Sequence, residues 1–315
     1  MILYRFSRQK ILVIGDIILD KYIWGEVSRI SPEAPVPIIL KKDENHILGG
    51  ASNVVNNVYG LGATPIACGV VGADINAGRV ISMIDKMGLS IGGIIVDKNR
   101  PTTIKNRVIG NNQQIVRIDE ESSEPINSNI IKMILAFVEI TLPEINAIII
   151  SDYGKGVISS KLIYELKNMA KDMIITVDPK AGNFRFYKEV TCITPNHHEA
   201  GEFCRFKIVN DRTLYRAGKQ IIDELECESV LITQGKDGMT LFEANGSIVH
   251  LPSIVEQVFD VSGAGDTVIS VFTTALAAKT TMEEAANAAN IAAGIVVAEP
   301  GTSAITIDRL AKELK

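Results

Sequence analysis

Histidine and cysteine are scarce in this chain, four of each among 315 residues. Cys68, Cys192, Cys204 and Cys227 form no CxxC pair and lack zinc-ligand spacing, which excludes a disulfide framework and a structural zinc site. The four thiols are expected to be small buried hydrophobes. A basic excess is missing as well. Against 37 Asp and Glu stand 32 Lys and Arg, a formal net charge of −5, so nothing is left to neutralise a run of phosphates and nucleic acid is excluded as a partner. No apolar run approaches the roughly 20 residues of a membrane span: residues 11–14 meet Gly15-Asp16, and residues 147–150 meet Ser151-Asp152. Arg5, Arg8 and Lys10 precede an apolar stretch, as in a secretory leader, but Asp16 and Asp20 interrupt it and no small-residue cleavage site follows. The expected location is cytoplasmic.

What is present is ample core material. Hydrophobic residues make up 46% and charged residues 22%, so the chain is globular. Short apolar runs at 10–14, 65–71, 147–150, 174–177, 190–194 and 229–233 read as strands. Between and after them, 51–61, 77–87, 129–140, 159–171, 214–225, 266–278 and 282–298 read as helices. Strands this apolar are buried on both faces, which predicts a mostly parallel sheet between two helical layers. Ligands in that architecture sit beyond the carboxyl ends of the strands. Several strands end there in polar turns: Gly15-Asp16, Ser151-Asp152-Tyr153, Asp178-Pro179-Lys180, Pro195-Asn196 and Gln234-Gly235. Two segments, about 21–48 and 95–120, break the rhythm, the second with a hairpin signal at Gly110-Asn111-Asn112. They are expected to form a small β lid on a single domain spanning 1–315.

The strongest local signal is Asp260-Val261-Ser262-Gly263-Ala264-Gly265-Asp266-Thr267 ahead of an apolar helix. Gly263, Ala264 and Gly265 can aim consecutive N–H groups, the unpaired donors of a helix N-terminus, at an anion. Asp266 in the first turn can take a proton from a hydroxyl attacking a phosphoryl group, or simply cap the helix; the motif alone leaves both readings open. No P-loop exists, and Gly15-Asp16 is not a dinucleotide fingerprint.

These residues resemble the ribokinase-like (PfkB) sugar kinases. The resemblance rests on Gly49-Gly50-Ala51-Ser52-Asn53 and on Asp260–Thr267. Within that family the chain is similar to the D-glycero-β-D-manno-heptose 7-phosphate kinases over nearly its whole length. The matching segments are Ser28-Arg29-Ile30-Ser31-Pro32-Glu33-Ala34-Pro35-Val36-Pro37, Lys105-Asn106-Arg107-Val108, Asn112-Gln113-Gln114, Arg117-Ile118-Asp119, Ser151-Asp152-Tyr153, Thr194-Pro195-Asn196 with Glu199, and Gly301-Thr302-Ser303. The resemblance implies a three-layer α/β/α fold and ATP-dependent phosphorylation of the heptose at O1. The 1,7-bisphosphate so formed leads to ADP-heptose for lipopolysaccharide. The chain ends just after the kinase pattern, so it is expected to be the kinase without the adenylyltransferase domain carried by many relatives.

Site roles follow from the same resemblance. Asp266 is the general base, and Gly263, Ala264 and Gly265 form the anion hole. Nucleotide contacts fall to Asn196, His197, His198, Glu199, Thr233, Gly235, Gly238, Asn290 and Gly294. Mg²⁺ is held through water by Asn196 and Glu199, and K⁺ near Asp260, Ser262 and Ser303. The sugar falls to Asp16, Asp20, Gly49, Gly50 and Asn53. Its phosphate falls to Lys105, Arg107, Arg117, Lys155 or Lys180, with at least one arginine, from this chain or a partner subunit, gripping it. A homodimer through the lid is expected. Two alternatives stand beside this reading: a PfkB kinase for another sugar, such as ribose, fructose or a ketodeoxy sugar acid, and a catalytically silent sugar or nucleotide sensor.

Overall fold

The computed structural model describes residues 3–254, 261–298 and 304–314. Among them a nine-stranded sheet runs in the order β13-β12-β11-β10-β9-β8-β1-β4-β5. Its members are β1 (Lys10–Gly15), β4 (Thr64–Val71), β5 (Gly93–Val96), β8 (Ala147–Ser151), β9 (Ile174–Asp178), β10 (Cys192–Ile193), β11 (Ser229–Thr233), β12 (Met239–Glu243) and β13 (Ile248–Leu251). All neighbours through β11 pair in parallel, while β12 and β13 fold back antiparallel at one edge. The two-residue period of the strands divides their side chains between two cores. Leu12, Ile14, Ile148 and Ile150 pack with α3 (Ser128–Thr141), α4 (Ser160–Met169) and α6 (Asp211–Leu225). Ile11, Val13, Ala147 and Ile149 pack on the other face with α1 (Ala51–Gly60), α2 (Ile75–Lys86) and α7 (Ala264–Ala277).

The edge hairpin β12–β13 was not among the expected elements, although Asn245-Gly246, with Gly246 at φ 92°, is a turn signal for it. The expected strand at 190–194 shrinks to β10, with an isolated bridge from Asn196 to Thr233 beyond it. Helices α5 (His197–Cys204) and α9 (Ile307–Glu313) were also missed, so α7 and α8 (Met282–Val297) do not close the chain. Among the described residues no helix is long and apolar enough to cross a membrane, and the four cysteines are free and buried.

A second sheet has the order β3-β2-β6-β7, from β2 (Ile17–Ile30), β3 (Pro37–Gly50), β6 (Thr103–Gly110) and β7 (Gln113–Glu120). It starts earlier than the pattern suggests, because β2 follows β1 after a single residue. Residues 95 and 96 belong instead to β5 of the large sheet. Asn111 and Asn112 both adopt positive φ, 50° and 64°, the requirement of a type I′ hairpin turn.

Helix α7 is buried from Asp266 to Ala277. Its hydroxyls are satisfied within the helix, Ser270 donating to the carbonyl of Asp266 at 2.6 Å and Thr273 to that of Ile269 at 2.7 Å. At the centre of the large sheet, a Cβ on Gly15 would lie 2.0 Å from the Ser151 carbonyl oxygen. Gly15→Ala is therefore expected to lower the denaturant midpoint, with a cost of about 1–3 kcal/mol or more for the forced backbone shift. Equilibrium unfolding checks this.

Candidate active site

The connections leaving β1 run first to one side, to β4 and β5, and then to the other, to β8 and β9. That reversal opens a crevice at the carboxyl ends of the strands. Asp16, 1% exposed, occupies it. Its carboxylate accepts main-chain N–H groups from Tyr153 at 2.8 Å, Lys155 at 3.1 Å and Val157 at 3.2 Å. Burial and the nearby charge of Asp152 raise its pKa, against those three donors. In this structure Asp16 thus organises the 153–157 loop. Asp152 accepts from the Gly154 N–H, the Asn183 amide and the Tyr187 hydroxyl.

Asp266 lies in the first turn of α7, whose N-cap Gly263 takes φ 81°. One carboxylate oxygen accepts the Tyr153 hydroxyl at 2.6 Å and the other the Asn53 amide at 2.7 Å. Asn53 comes from the first turn of α1, which begins where Gly50, at φ 54°, lets the chain turn against the Asp16 carbonyl. Because its amide faces Asp266, the Asn53 Oδ1 points elsewhere, and it is buried with no hydrogen-bond partner. Burial raises the Asp266 pKa to about 6, with the Asp20 charge adding and the Tyr153 and Asn53 bonds and Lys105 opposing. The N–H of Ala264 is engaged with the Val261 carbonyl at 3.2 Å. Gly265 is exposed, and a Cβ there would meet only the Asp178 carboxylate, at 3.9 Å.

Beside this helix start lies a cavity of about 620 Å³. Of the candidate nucleotide residues, Asn196, His197, Glu199, Thr233, Gly235, Gly238, Asn290 and Gly294 all line it, drawn from three separate segments. His198 does not line it and is exposed, its ring against that of His197. Asn196 and Glu199 form a capping box on α5, Asn196 Oδ1 accepting from the N–H of His198 and Glu199 while Glu199 accepts from the N–H of Asn196. Asn290 donates to the Pro252 carbonyl at 2.8 Å. Gly238 is required by space, since a Cβ would lie 2.1 Å from the Leu251 oxygen. The cavity's polar end holds Asp178, absent from the candidates drawn from sequence. Burial, then the charges of Asp266, Glu199 and Asp152, push its pKa well up against the single cation Lys180. Burial raises that of Glu199 too. Asp260 and Ser303 lie outside the described residues, which leaves Ser262, exposed near the start of α7, from the proposed K⁺ set.

The small sheet faces the crevice with Asp20, Lys105 and Arg107. Arg107 pairs with Asp20 at 2.6 Å, and Gly49 makes room, since a Cβ there would sit 2.4 Å from the Asp20 carboxylate. Arg117, opposite Arg107 on β7, is exposed and paired with Asp119 at 2.9 Å. Lys155 is paired with Glu121 at 2.6 Å. Lys180 is exposed, and its charge acts on Asp178 and Glu199 at the cavity. Among the described residues of this group, Lys105 has no carboxylate within ion-pair distance; its ammonium lies 5.4 Å from the centre of the Tyr153 ring. Burial, with Arg107, Arg117 and Lys155 adding and Asp20 opposing, holds its pKa below the usual lysine value.

Tyr153 and Asp178 were not singled out from the sequence, although both sit in strand-end turns. Each is a neighbour of Asp266 in space only, which no spacing rule reveals. The raised pKa has a consequence for stability. The folded chain binds the Asp266 proton more tightly than the unfolded chain, so keeping this group ionised costs stability. The cost is absent below about pH 4 and complete above about pH 6. It amounts to the order of 3 kcal/mol for a rise of about two pH units. Asp266→Asn is therefore expected to raise the thermal midpoint at pH 8 and to have little effect at pH 4, read by calorimetry at both values.

A model of the pfkB family of carbohydrate kinases matches residues 8–309. The bifunctional protein HldE of Desulfatibacillum aliphaticivorans is 43% identical over 312 residues, covering 98% of this chain and 64% of that protein. HldE of Helicobacter pylori strain J99 is 38% identical over 305 residues, covering 96% and 66%. The chain thus spans a little under two thirds of the length of the first of these. Among solved structures, Escherichia coli phosphofructokinase-2 in complex with substrates and products superposes with TM-score 0.78 at 17% identity, covering 97% of each chain. Arabidopsis thaliana ribokinase complexed with ribose and ATP gives 0.75 at 18%, covering 98% of each. The fold is ribokinase-like, and the family match spans nearly the whole length: the chain belongs to the pfkB family of carbohydrate kinases.

Proposed function

We propose that the protein transfers the γ-phosphoryl group of ATP to O1 of D-glycero-β-D-manno-heptose 7-phosphate, giving the 1,7-bisphosphate on the route to ADP-heptose. The observation that carries this reading is the position of Asp266. Its buried carboxylate lies where a nucleotide-sized cavity meets a face bearing an ammonium with no carboxylate partner. In the reaction, the acceptor hydroxyl gives its proton to Asp266 and its oxygen bonds to the γ-phosphorus. The bond from that phosphorus to the bridging oxygen of ADP breaks. A pKa near 6 leaves the base ionised at neutral pH and able to take a proton. The orphaned Asn53 Oδ1 accepts a neighbouring sugar hydroxyl, and the N-terminus of α7 faces the charge that builds on the phosphoryl oxygens. Phosphoryl transfer asks chiefly for positioning and charge neutralisation of this kind.

Mg²⁺ accompanying ATP supplies further neutralisation when bound. The raised pKa values of Glu199 and Asp178 mark a cavity end rich in oxygen donors and poor in cations, as a hard divalent ion requires. Asn196 and Glu199 would hold it through water. K⁺ near Ser262 belongs to the same reading; the phosphofructokinase-2 fold has also been solved in complex with potassium. The phosphate of the sugar is assigned to Lys105, since Arg107, Arg117 and Lys155 are already paired and the charge of Lys180 acts on the carboxylates of the nucleotide cavity. Val116 and Ile118 are exposed on β7, on the face of the small sheet turned away from Asp20 and Lys105. A second copy covering them would shield both the apolar patch and the edge strand β7, which supports the homodimer and the role of this sheet as a lid. ATP dependence and four free thiols support a cytoplasmic location.

A kinetic panel with Mg-ATP tests the substrate. Turnover is expected on the heptose 7-phosphate; turnover on ribose, fructose or a ketodeoxy sugar acid with none on the heptose would reject the assignment. Lys105→Ala is expected to raise KM for the sugar phosphate by about 10-fold or more, the scale of a hydrogen bond to a charged group, with KM for ATP unchanged. Sedimentation at micromolar concentration should show a dimer that Ile118→Asp dissociates.

A further inference from the structure

Among the described residues, no cation bonds to Asp266. Its hydrogen-bond donors are both neutral, the Asn53 amide from α1 and the Tyr153 hydroxyl from the loop after β8. The charged groups around it leave a negative balance. Asp20 on β2 and Asp178 at the end of β9 repel its charge, while Lys105 on β6 attracts it from the far side of the Tyr153 ring. The ring accounts for the packing beneath Lys105, and a phenylalanine would serve that purpose equally. Among the described residues the hydroxyl bonds to Asp266 Oδ1 alone. Burial and the charges of Asp266 and Asp178 raise the Tyr153 pKa well above that of a free phenol, so the group stays protonated, and with Asp266 ionised it must act as the donor.

We propose that Tyr153 is a positioning residue, its hydroxyl holding the Asp266 carboxylate ionised and aimed at the acceptor oxygen. The proposal deepens the reading of Asp266 as general base and rests on it. Each carboxylate oxygen offers two lone-pair sites and uses only one here, so the acceptor hydroxyl can reach Asp266 while Tyr153 stays in place. The tyrosine then steadies the base through proton uptake without taking the proton itself. Asn53 anchors the other oxygen, and the two donors together fix the plane of the carboxylate.

The test follows the Asp266 carboxyl carbon by NMR titration of the full-length protein, with Asp266→Asn identifying the signal, and compares Tyr153→Phe. The midpoint is expected near pH 6 in the parent and about one pH unit higher in Tyr153→Phe, because a bond favouring the charged form is gone. The acid limb of kcat should move up with it, and at pH 9 a deficit of about tenfold should persist from lost orientation, with KM for ATP unchanged. A merely structural tyrosine would leave the titration midpoint where it was, and that result overturns the proposal. The underlying reading fails separately, if Asp266→Asn retains normal turnover; the titration still judges the tyrosine in that case.

Discussion

A carboxylate removed almost wholly from water is a costly thing to keep charged, and Asp266 is kept usable by two neutral hydrogen bonds and no salt bridge. An arginine in contact would hold the group firmly ionised and make it a poor proton acceptor. An apolar surround would leave it protonated and idle. Amide and phenol donors fall between these limits, and the resulting pKa of about 6 lies close to the pH at which a base must work. The same compromise makes the site a net liability to the folded state, as functional sites commonly are.

The precision of that arrangement comes from how α1 and α7 meet. A polar seam joins them: Asn53 reaches Asp266, Thr267 reaches Asn57 at 3.1 Å, and the Ser270 hydroxyl faces the Val54 carbonyl. Asn57 Oδ1 also accepts the Ile305 N–H at 3.0 Å, so the segment after α8 is pinned to the same seam. Every polar group buried there has somewhere to go except Asn53 Oδ1. One orphan acceptor in an otherwise satisfied seam marks where a ligand's hydroxyl completes the pattern.

Much of the architecture was legible because strand burial writes itself as apolar runs, and the parallel order follows from helices between them. The position of Asp266 in the first turn of a helix after a glycine turn was legible for a local reason: Gly263-Ala264-Gly265 ahead of an apolar run is a compact helix-start signature. Of the nucleotide candidates named in advance through the resemblance to known kinases, all but His198 line the cavity; the α5 cap turns His198 outward. Tyr153, Asp178 and the spare status of Lys105 were not legible. Each depends on which carboxylate lies nearby in three dimensions. Arg107 and Arg117 looked like phosphate ligands in sequence, and it took the register of β2, β6 and β7 to reveal Asp20 and Asp119 beside them.

Two of the four connections between the small sheet and the body have almost no slack. Asp16 alone separates β1 from β2, and β3 passes straight into α1 at Gly50. Rocking of the sheet would turn in part through that pair of junctions and bear on the first turn of α1, where Asn53 sits. In the proposed reading, closing over a sugar and squaring up the proton acceptor then become coupled motions.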